Sequence, residues 1–334
     1  MTTTIHRGKQ TFTVLASLAT LAFSCLLPAT ASAADVYPSK PITIVVAYPA
    51  GGDSDVLARL FGEKLSQRMK QPVLVENRTG AGGNIGTSYV VKSKADGYTL
   101  LMAPNTVVIS PLVIKSASVN YDVEKDLTPI AQIGVQPLFV VAATDTGVTN
   151  MKELVASAKA GKIQAYASPG NGSPMHILAE MFDRSAGIKL AQVPYRGSVP
   201  AVADMVGGHV PMMYSTLGPV APFIEQKKLV ALAVADTVRS PFLPNVPTLA
   251  ESGFNGSEVG AWQALMGPKD MPAELVRTLN EEMNAIMKMP DVAARMTAMA
   301  VLPTGGEPAK LARLVASDNA KYTKVIADFG IHAD

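Results

Sequence analysis

The sequence predicts an α/β fold built as a two-lobed clamshell, whose halves are joined by two crossover segments. Short β-branched runs alternate with helical patterns along most of the chain, which is typical of a mostly parallel sheet covered by helices. This alternation stops at residues 127–143 and again at 253–260, where we predict that the chain crosses between lobes. A chain of 334 residues is also longer than one hydrophobic core usually holds. We therefore assign 34–136 plus 258–334 to lobe 1 and 137–257 to lobe 2.

Residues 1–33 have the pattern of a secretory signal peptide. Arg7 and Lys9 are basic, residues 12–27 are apolar, and the small residues at 31–33 form a cleavage site. Cys25 lies inside the apolar segment, but the residues before it make a poor lipoprotein signal. We therefore expect cleavage after Ala33 rather than lipid anchoring.

The composition argues against several classes of protein. Removing Arg7 and Lys9 lowers the number of basic residues from 29 to 27, which equals the number of acidic residues. A neutral chain with 6% aromatic residues gives no reason to expect nucleic acid as a partner. The mature segment contains no cysteine for disulfides or thiolate chemistry, and no later run reaches the ~20 apolar residues that a membrane span needs.

Lobe 1 is organised around a strand, a glycine turn and a helix between residues 42 and 60. The β-branched run at 42–48 predicts a buried strand, the turn at 49–52 ends it, and Asp53 and Asp55 open a helical pattern. Such a turn directs unpaired backbone N–H groups and the positive end of a helix toward one point. The lysine of a P-loop is missing. The alternatives are therefore an anion site and an ordinary capped turn.

Two further turns follow strands of the same lobe. We predict a strand at 73–76, a glycine-rich turn at 77–84, a helix at 85–94 and a third strand at 98–102. The turn near Gly82 lacks the third glycine and the acidic residue of a dinucleotide site, which argues against NAD or FAD. Ligands of α/β sheets bind outside the carboxyl ends of the strands. We therefore expect Gly51, Gly82 and Asn105 to lie on one rim.

In lobe 2 the alternation restarts. We predict strands at 163–166, 190–193, 210–214 and 229–235, and helices at 151–160, 175–185 and 198–206. Ser173 is placed to cap the second of these helices, with Pro174 at its first position. Three more helices are predicted at 273–287, 291–299 and 308–328, and we expect the last to brace lobe 1. Its apolar face comprises Leu311, Leu314, Val315, Tyr322, Val325 and Phe329.

The sequence contains no recognisable metal or catalytic motif, so we expect no cofactor. The mature chain keeps His176, His209 and His332, none of which has the spacing of a zinc site. His176 follows Ser173 by three residues and could act as its base, so a periplasmic serine hydrolase using this pair is one alternative. Contact with a ligand and helix packing are the other roles open to His176.

Charged and aromatic residues near the turns have more than one possible role. Arg196 could bind a carboxylate or be solvated, but several charge-assisted hydrogen bonds of about 1.5–3 kcal/mol each can hold an anion without it. Asp55 lies in the first turn of its helix and would repel an anionic ligand. We therefore assign Asp55, together with Asp53, to organising the loop. Trp262 is either a core anchor or a wall of the cleft.

Eight segments resemble, in order and spacing, the Bug-type (TctC-like) substrate-binding receptors of tripartite tricarboxylate transporters. They cover nearly the whole mature chain: 37–41, 49–55, 75–78, 80–86, 96–98, 168–173, 193–198 and 243–248. The resemblance implies a two-lobed periplasmic binding protein of type II, located in the periplasm. It also implies that this protein captures a small organic acid, partly through ordered waters, and delivers it to a membrane permease.

The resemblance also implies which residues meet the ligand. Loops 50–55 and 80–84 would face the cleft from lobe 1, residues 168–176 would form the wall of lobe 2, and the far end of the ligand would meet residues near 195 and 214. The expected ligand-binding residues are Tyr48, Ala50, Gly51, Gly52, Ser54, Gly82, Gly83, Asn84, Asn105, Ser168, Asn171, Gly172, Ser173, His176, Tyr195, Arg196, Tyr214 and Ser215.

Two positions depart from the family pattern. Asp53 stands where the family often has proline, which adds a negative charge near the pocket, and Pro211 stands where an acidic residue is common. Ligand identity therefore does not transfer: mono-, di- and tricarboxylates, aromatic carboxylates and amino acids all fit. We expect a monomeric receptor without catalytic turnover, and its alternatives are the hydrolase and a subunit that presents ligand to a sensor kinase.

Overall fold

The computed structural model describes residues 1–4, 37–115 and 119–333. Residues 38–334 form one compact unit, and residues 1–37 form a separate unit of which only the two ends are described. The predicted cleavage site after Ala33 lies outside the described residues. In the part of the chain that the structure describes, no helix is both long and apolar enough to cross a membrane.

The described strands form two sheets. The first has six strands in the order β11-β4-β10-β3-β1-β2 and the second has five in the order β7-β6-β8-β5-β9. The strands are β1 (Ile42–Val46), β2 (Val73–Asn77), β3 (Thr99–Pro104), β4 (Leu127–Gln136), β5 (Leu138–Ala143), β6 (Ala165–Ser168), β7 (Ala191–Pro194), β8 (Met212–Thr216), β9 (Leu229–Val234), β10 (Ala261–Pro268) and β11 (Leu302–Pro303).

Helices cover these sheets, which confirms the predicted α/β class. They are α1 (Asp53–Met69), α2 (Asn84–Val91), α3 (Thr106–Val113), α4 (Val123–Asp126), α5 (Met151–Lys159), α6 (Pro174–Ala186), α7 (Ser198–Val206), α8 (Leu217–Glu225), α9 (Ala273–Met287), α10 (Pro290–Ala298) and α11 (Pro308–Phe329). Short 3-10 turns occupy Ala81–Gly83 and Thr144–Thr146.

The strand registers explain where the turns meet. Strand β1 pairs in parallel with both β2 and β3, and its residues Ile42 and Val46 are fully buried. Because parallel neighbours end at the same edge of a sheet, the turns that follow β1, β2 and β3 share one rim. In the second sheet β6 pairs in parallel with β7 and β8, so the turns after these strands also gather at one edge.

The chain passes between the sheets where the alternation stops. Strand β4 belongs to the first sheet and β5 to the second, and only Pro137 separates them. Proline cannot donate to a strand ladder, so it suits the point where one sheet is left for another. The chain returns through β10, which pairs antiparallel with both β3 and β4.

Five elements were not predicted, and two of them are the short helix α4 and the two-residue strand β11. Helix α3 contains Val107, Val108, Ile109 and Pro111, which favour other structures, but its residues are almost entirely buried and packing overrides their propensity. Helix α8 contains Pro222, and β10 follows an irregular stretch that hides its start. The predicted helix at 85–94 ends at Val91 in the structure.

Helix α11 corrects one expectation, because it does not brace lobe 1 alone. Leu311 and Val315 pack with residues of the first sheet such as Val45 and Leu101. Farther along the helix, Tyr322 packs in the core of the second sheet. A helix of 22 residues is about 33 Å long, which is enough to reach both cores.

Candidate functional site

A cavity lies between the loops of the two sheets. From the first sheet it is lined by the turn after β1, by Gly82 and by the residues that follow β3. From the second sheet it is lined by the turns after β6 and β7. The predicted site residues among its lining are Tyr48, Ala50, Gly52, Asp53, Ser54, Gly82, Asn105, Asn171, Ser173 and Arg196.

Four helices begin at this cavity. The lining includes Asp53 at the start of α1, Thr106 at the start of α3, Pro174 at the start of α6 and Ser198 at the start of α7. The first-turn N–H groups of a helix have no acceptor within the helix, and the macrodipole adds a partial positive charge there. The cavity is therefore lined by helix ends that favour an anion. Only the helix starts near Asp53, Pro174 and Ser198 were predicted from the sequence.

The turn after β1 is held by a carboxylate that is not part of the cavity lining. Asp55 accepts a hydrogen bond from the Gly51 backbone N–H at 2.9 Å, two from Arg59 and one from Asn77 at 2.9 Å. Burial would raise the pKa of Asp55, but these hydrogen bonds outweigh it and lower the pKa below its ordinary value. Gly51 has a φ of +84°, which favours glycine. Asp55 thus makes the backbone bond that its predicted role requires.

Asp53 makes contacts of another kind. Its Oδ2 accepts hydrogen bonds from Gln136 Nε2 at 2.9 Å and from Thr216 Oγ1 at 2.7 Å. Gln136 ends β4 of the first sheet and Thr216 ends β8 of the second. Desolvation raises the pKa of Asp53, although the two hydrogen bonds act against this shift. Asp53 therefore connects the two sheets through side chains, whereas its predicted role was to organise its own loop.

The second glycine loop of the first sheet touches the wall of the second sheet. A Cβ built on Gly82 would lie 3.1 Å from the Asn171 carbonyl oxygen, and one on Gly172 would lie 2.7 Å from the Ser110 Cα. A side chain at either position would prevent this approach. The Tyr48 hydroxyl donates to the Gly82 carbonyl at 3.1 Å. Gly51, Gly82 and Gly172 therefore lie around one interface, and Gly51 sits 3.9 Å, measured from its built Cβ, from Val199 of the second-sheet side.

Several predicted residues lie behind the cavity wall. Asn84 is fully buried, donates to Ser110 Oγ at 2.8 Å and accepts from the Tyr121 hydroxyl at 2.9 Å. Ser168 is also fully buried and accepts from Gln192 Nε2 at 2.7 Å. Gly83 lines a neighbouring space rather than the cavity itself. These residues shape the loops from behind.

The Ser173 and His176 pair is arranged as a helix cap. Ser173 Oγ accepts the backbone N–H of His176 at 3.2 Å, and His176 Nδ1 accepts the backbone N–H of Gly172 at 3.3 Å. Nδ1 is thus assigned as the acceptor, and Nε2 lies 3.8 Å from Glu180 Oε1. Burial lowers the pKa of His176 to about 4. The ring is neutral at pH 7, and its Nδ1 is occupied by Gly172 rather than by the Ser173 hydroxyl.

The residues predicted for the far end of the ligand are separated. Arg196 lines both the cavity and the neighbouring space, and Tyr195 lines the latter while its hydroxyl donates to Asp204 at 2.6 Å. Tyr214 is fully buried, with its ring 5.3 Å from that of Tyr166, and Ser215 is 1% exposed. Both lie in β8, whose neighbours β5 and β6 flank it in the sheet. Neither residue is among the lining of either space.

Polar residues inside apolar strands were missed. Ser54 Oγ donates to Gln263 Oε1 at 2.8 Å, and Gln263 Nε2 donates to Gln136 Oε1 at 3.2 Å. A glutamine in an otherwise apolar strand was the only available signal, because burying an amide is costly unless it is hydrogen-bonded. Trp262 is a core residue, 3% exposed, and its Nε1 donates to Asp318 at 2.7 Å. Within the described ranges, no cluster of three or more His, Cys, Asp or Glu side chains could hold a metal ion.

Comparisons with known proteins agree with this geometry. Residues 57–331 match the family described as tripartite tricarboxylate transporter family receptor. Protein BugT of Bordetella pertussis is 34% identical over 299 residues, covering 89% of this chain and 91% of BugT. A structure from R. palustris with adipate has a TM-score of 0.84 at 30% identity and covers 89% of this chain and 99% of that one. MatC from Rhodopseudomonas palustris with bound malate has a TM-score of 0.82 at 27% identity, over 87% and 100%.

Proposed function

The chain belongs to the tripartite tricarboxylate transporter receptors, a family of periplasmic solute-binding proteins, and on that premise we propose that it captures a small organic carboxylate between its two sheets. The observation that carries this proposal is the meeting of four helix starts at one cavity. Backbone N–H groups at helix starts are suited to a carboxylate because they lie at the positive end of the dipole. At α6 this holds for Met175, since Pro174 has no N–H and the His176 N–H is bonded to Ser173 Oγ.

The energetics of such a site are sufficient without a bound cation. A charge-assisted hydrogen bond contributes about 1.5–3 kcal/mol, and a micromolar complex requires about 8 kcal/mol. The summed free energy of several such bonds, minus the cost of closing the cleft, is therefore enough for a micromolar affinity. Arg196 lines the cavity and would add to the attraction.

We assign ligand contact to the residues that line the cavity and a supporting role to those behind it. Tyr48, Ala50, Gly52, Ser54, Gly82, Asn105, Asn171, Ser173 and Arg196 belong to the first group. Asp55, Asn84, Ser168 and His176 hold the loops through the hydrogen bonds described above. The lobes of the proposed receptor are 34–136 plus 258–334 and 137–257.

Two related structures hold dicarboxylates, adipate in one and malate in the other. By this analogy we propose that the ligand of this chain is a small organic acid that is delivered to a membrane permease of the tripartite type. Family members are substrate-binding proteins, and the arrangement of Ser173 and His176 as a cap fits a receptor without turnover.

A binding screen with one blocking variant tests this proposal. Thermal unfolding of the mature chain is measured with mono-, di- and tricarboxylates, since a ligand at a hundred times its Kd stabilises the native state by about 2.7 kcal/mol. Gly52→Val places a side chain in the cavity wall, and Gly52 has a φ of −78° that valine can adopt. We expect Gly52→Val to weaken binding at least about 10-fold, because it blocks approach to the α1 N–H groups.

Ala160→Val provides the matched control. Ala160 is exposed, directly follows α5 and is not part of the cavity lining, so the variant should bind as the wild type does. A folded Gly52→Val variant with unchanged affinity would contradict the assigned site. A mature chain that responds to no carboxylate would contradict the proposed function.

A further inference from the structure

A second space adjoins the cavity on the side away from the crossover segments. We call it the mouth, and its lining contains residues 79–83, which follow β2, and residues 194–197, which begin at the end of β7. Strands β2 and β7 are edge strands of the two sheets. The crossovers join β4 to β5 and β9 to β10, which lie toward the opposite edge of each sheet. The loops at the mouth are therefore those that separate farthest when two lobes hinge about their crossovers.

The mouth and the cavity share part of their lining. Tyr48, Gly82, Asn171 and Arg196 line both spaces. Gly82 and Asn171 also approach each other closely, since a Cβ built on Gly82 would lie 3.1 Å from the Asn171 carbonyl oxygen. This contact joins a loop of the first sheet to a loop of the second where the two spaces adjoin. A solute that enters through the mouth therefore reaches the cavity when these two loops separate.

The lining of the mouth is positively charged. Among its described residues, Lys115 and Arg196 are charged, and none is an aspartate or a glutamate. Both residues are exposed, and no described acid forms an ion pair with either. In the described lining of the cavity, Asp53 and Arg196 cancel each other. An anion is therefore attracted more strongly by the lining of the mouth than by the charged side chains of the cavity.

Two acids bear on the sign of the field at the mouth. Asp204 is not part of the lining, but it accepts a hydrogen bond at 2.6 Å from the hydroxyl of Tyr195, which is. Asp334 follows the mouth residue Ala333 in the sequence and lies outside the described residues. The net field is therefore best measured on the whole mature chain.

We propose that the mouth is the entry site for the anionic ligand, and that Lys115 and Arg196 increase the rate at which it is captured. Charges of one sign around an opening concentrate ions of the opposite sign there and raise association rates. This inference rests on the proposed function and adds the route of capture to it. Lys115 lines the mouth alone and acts on entry, whereas Arg196 lines both spaces and acts on entry and on binding.

A reporter cysteine measures the potential at the mouth without a ligand. The chain after residue 33 has no cysteine, and Thr79 is an exposed mouth residue, so Thr79→Cys introduces a single thiol there. Its reaction rates with dianionic dithiobis-nitrobenzoate and with neutral dithiodipyridine are compared, because their ratio cancels the reactivity of the thiol itself. Adding Lys115→Gln should lower the anionic-to-neutral ratio about 2- to 5-fold at low ionic strength, and salt should remove the difference.

Stopped-flow mixing tests whether this field speeds capture. Malate, adipate and citrate are the probes, and the signal is the fluorescence of Trp262, which is the single tryptophan and follows the cavity residue Ala261. The association rate of the wild type should fall as salt is added. Lys115→Gln should slow association about 2- to 5-fold at low ionic strength and leave dissociation unchanged. Arg196→Gln should change both rates.

Lys152→Gln is the matched control. Lys152 is exposed on α5, lines neither space and forms no ion pair with a described residue. This variant should keep both the thiol ratio and the association rate of the wild type.

Three results overturn the inference while the proposed function stands. They are a thiol ratio that Lys115→Gln does not lower, an association rate that does not fall with salt, and a Lys115→Gln variant that changes dissociation alone. The last of these would make Lys115 a residue of the binding site and not of the entry route. A mature chain that binds none of the three probes and no other carboxylate contradicts the proposed function, and the role of the mouth in capture with it.

Discussion

Burial is the main influence on the pKa of one carboxylate on α6. Asp183 on α6 is 7% exposed, accepts one hydrogen bond from the Leu190 N–H at 2.6 Å, and has no partner at Oδ1. Burial raises its pKa from 3.8 to about 6, with the Leu190 bond acting against this shift and Glu180 adding to it. Asp183 therefore destabilises the folded protein at neutral pH.

We predict that Asp183→Asn stabilises the protein in a pH-dependent way. Below about pH 4 the carboxyl is protonated in both states, so the two proteins differ little. As pH rises from about 4 to about 6 the unfolded chain ionises first, and wild-type stability falls relative to the variant. Above that range the difference should level at roughly 3 kcal/mol, from about 1.4 kcal/mol per pKa unit. Urea unfolding between pH 4 and 8 measures it.

Asp236→Asn serves as the comparison, since Asp236 is exposed. The difference in unfolding free energy between the wild type and Asp236→Asn should not increase with pH. A difference between wild type and Asp183→Asn that is constant over the whole range would mean that Asp183 does not titrate between 4 and 6.

Among the secondary-structure elements, the first turn of helix α2 packs closely against β1 and the loop after β2. Gly86 lies in this helix, and a Cβ there would be 2.6 Å from the Arg78 carbonyl oxygen and 2.9 Å from the Ala47 Cα. Both are backbone atoms, so they cannot move aside as a flexible side chain can. The helix therefore needs glycine at this position so that it can approach β1 and the loop after β2.

We predict that Gly86→Ala destabilises the protein by about 1–3 kcal/mol through overpacking. Helix propensity alone predicts the opposite, a gain of about 1 kcal/mol. Gly62→Ala in α1 is the control, because its Cβ would meet the side chain of Val73 at 3.3 Å. Denaturant midpoints should place Gly86→Ala below both the wild type and Gly62→Ala, and a stabilised Gly86→Ala would contradict the tight contact.

An element could be predicted from the sequence where its own hydrophobic periodicity and end signals favour the secondary structure that it adopts in the fold. Strand β1 and helix α6, with its Ser173 cap and Pro174, combine periodicity with recognisable end signals. Helix α3 could not be predicted, because its β-branched residues and Pro111 favour other structures and only burial between other elements makes it helical. The cavity therefore contains a helix start, at Thr106, that no local signal revealed.

The candidate site divides in the same way. Its glycine turns were predictable, because glycine residues between a strand pattern and a helix pattern indicate a turn with positive φ values. The bonds of Asp53 to Gln136 and Thr216 span 83 and 163 residues along the chain, so only the folded structure brings them together. Tyr214 and Ser215 were predicted to contact the ligand but are buried in the middle of the second sheet. The order of the strands decides this position, and a single sequence does not reveal that order.

At the scale of the whole molecule, the two sheets are connected by Pro137, by the return into β10, by helix α11 and by the bond between Thr216 and Asp53. The first two are backbone connections, and helix α11 packs in both cores. The last is a hydrogen bond across the cleft to a carboxylate, which opening the cleft would break. It therefore favours the closed form over an open one.

We predict that Thr216→Val weakens the binding of every ligand by a similar factor. Valine keeps the shape of threonine and removes the donor to Asp53, and Thr216 Oγ1 makes no capping bond to α8 that would also be lost. A hydrogen bond typically contributes about 0.5–1.5 kcal/mol, so the closed population and the apparent affinity should fall by about 2- to 10-fold. Isothermal titration gives the affinity, and small-angle scattering of the unliganded protein should show a larger radius of gyration.

Thr144→Val separates this effect from a general loss of stability. The Thr144 hydroxyl donates to the carbonyls of Lys227 and Lys228, so its bonds stay within the second-sheet side and do not cross the cleft. This variant should lose stability without losing affinity. If Thr216→Val binds carboxylates as tightly as the wild type does, the bond between Thr216 and Asp53 does not contribute to closure. Similar losses for different carboxylates, together with an expanded unliganded form, are expected if this bond is part of closure.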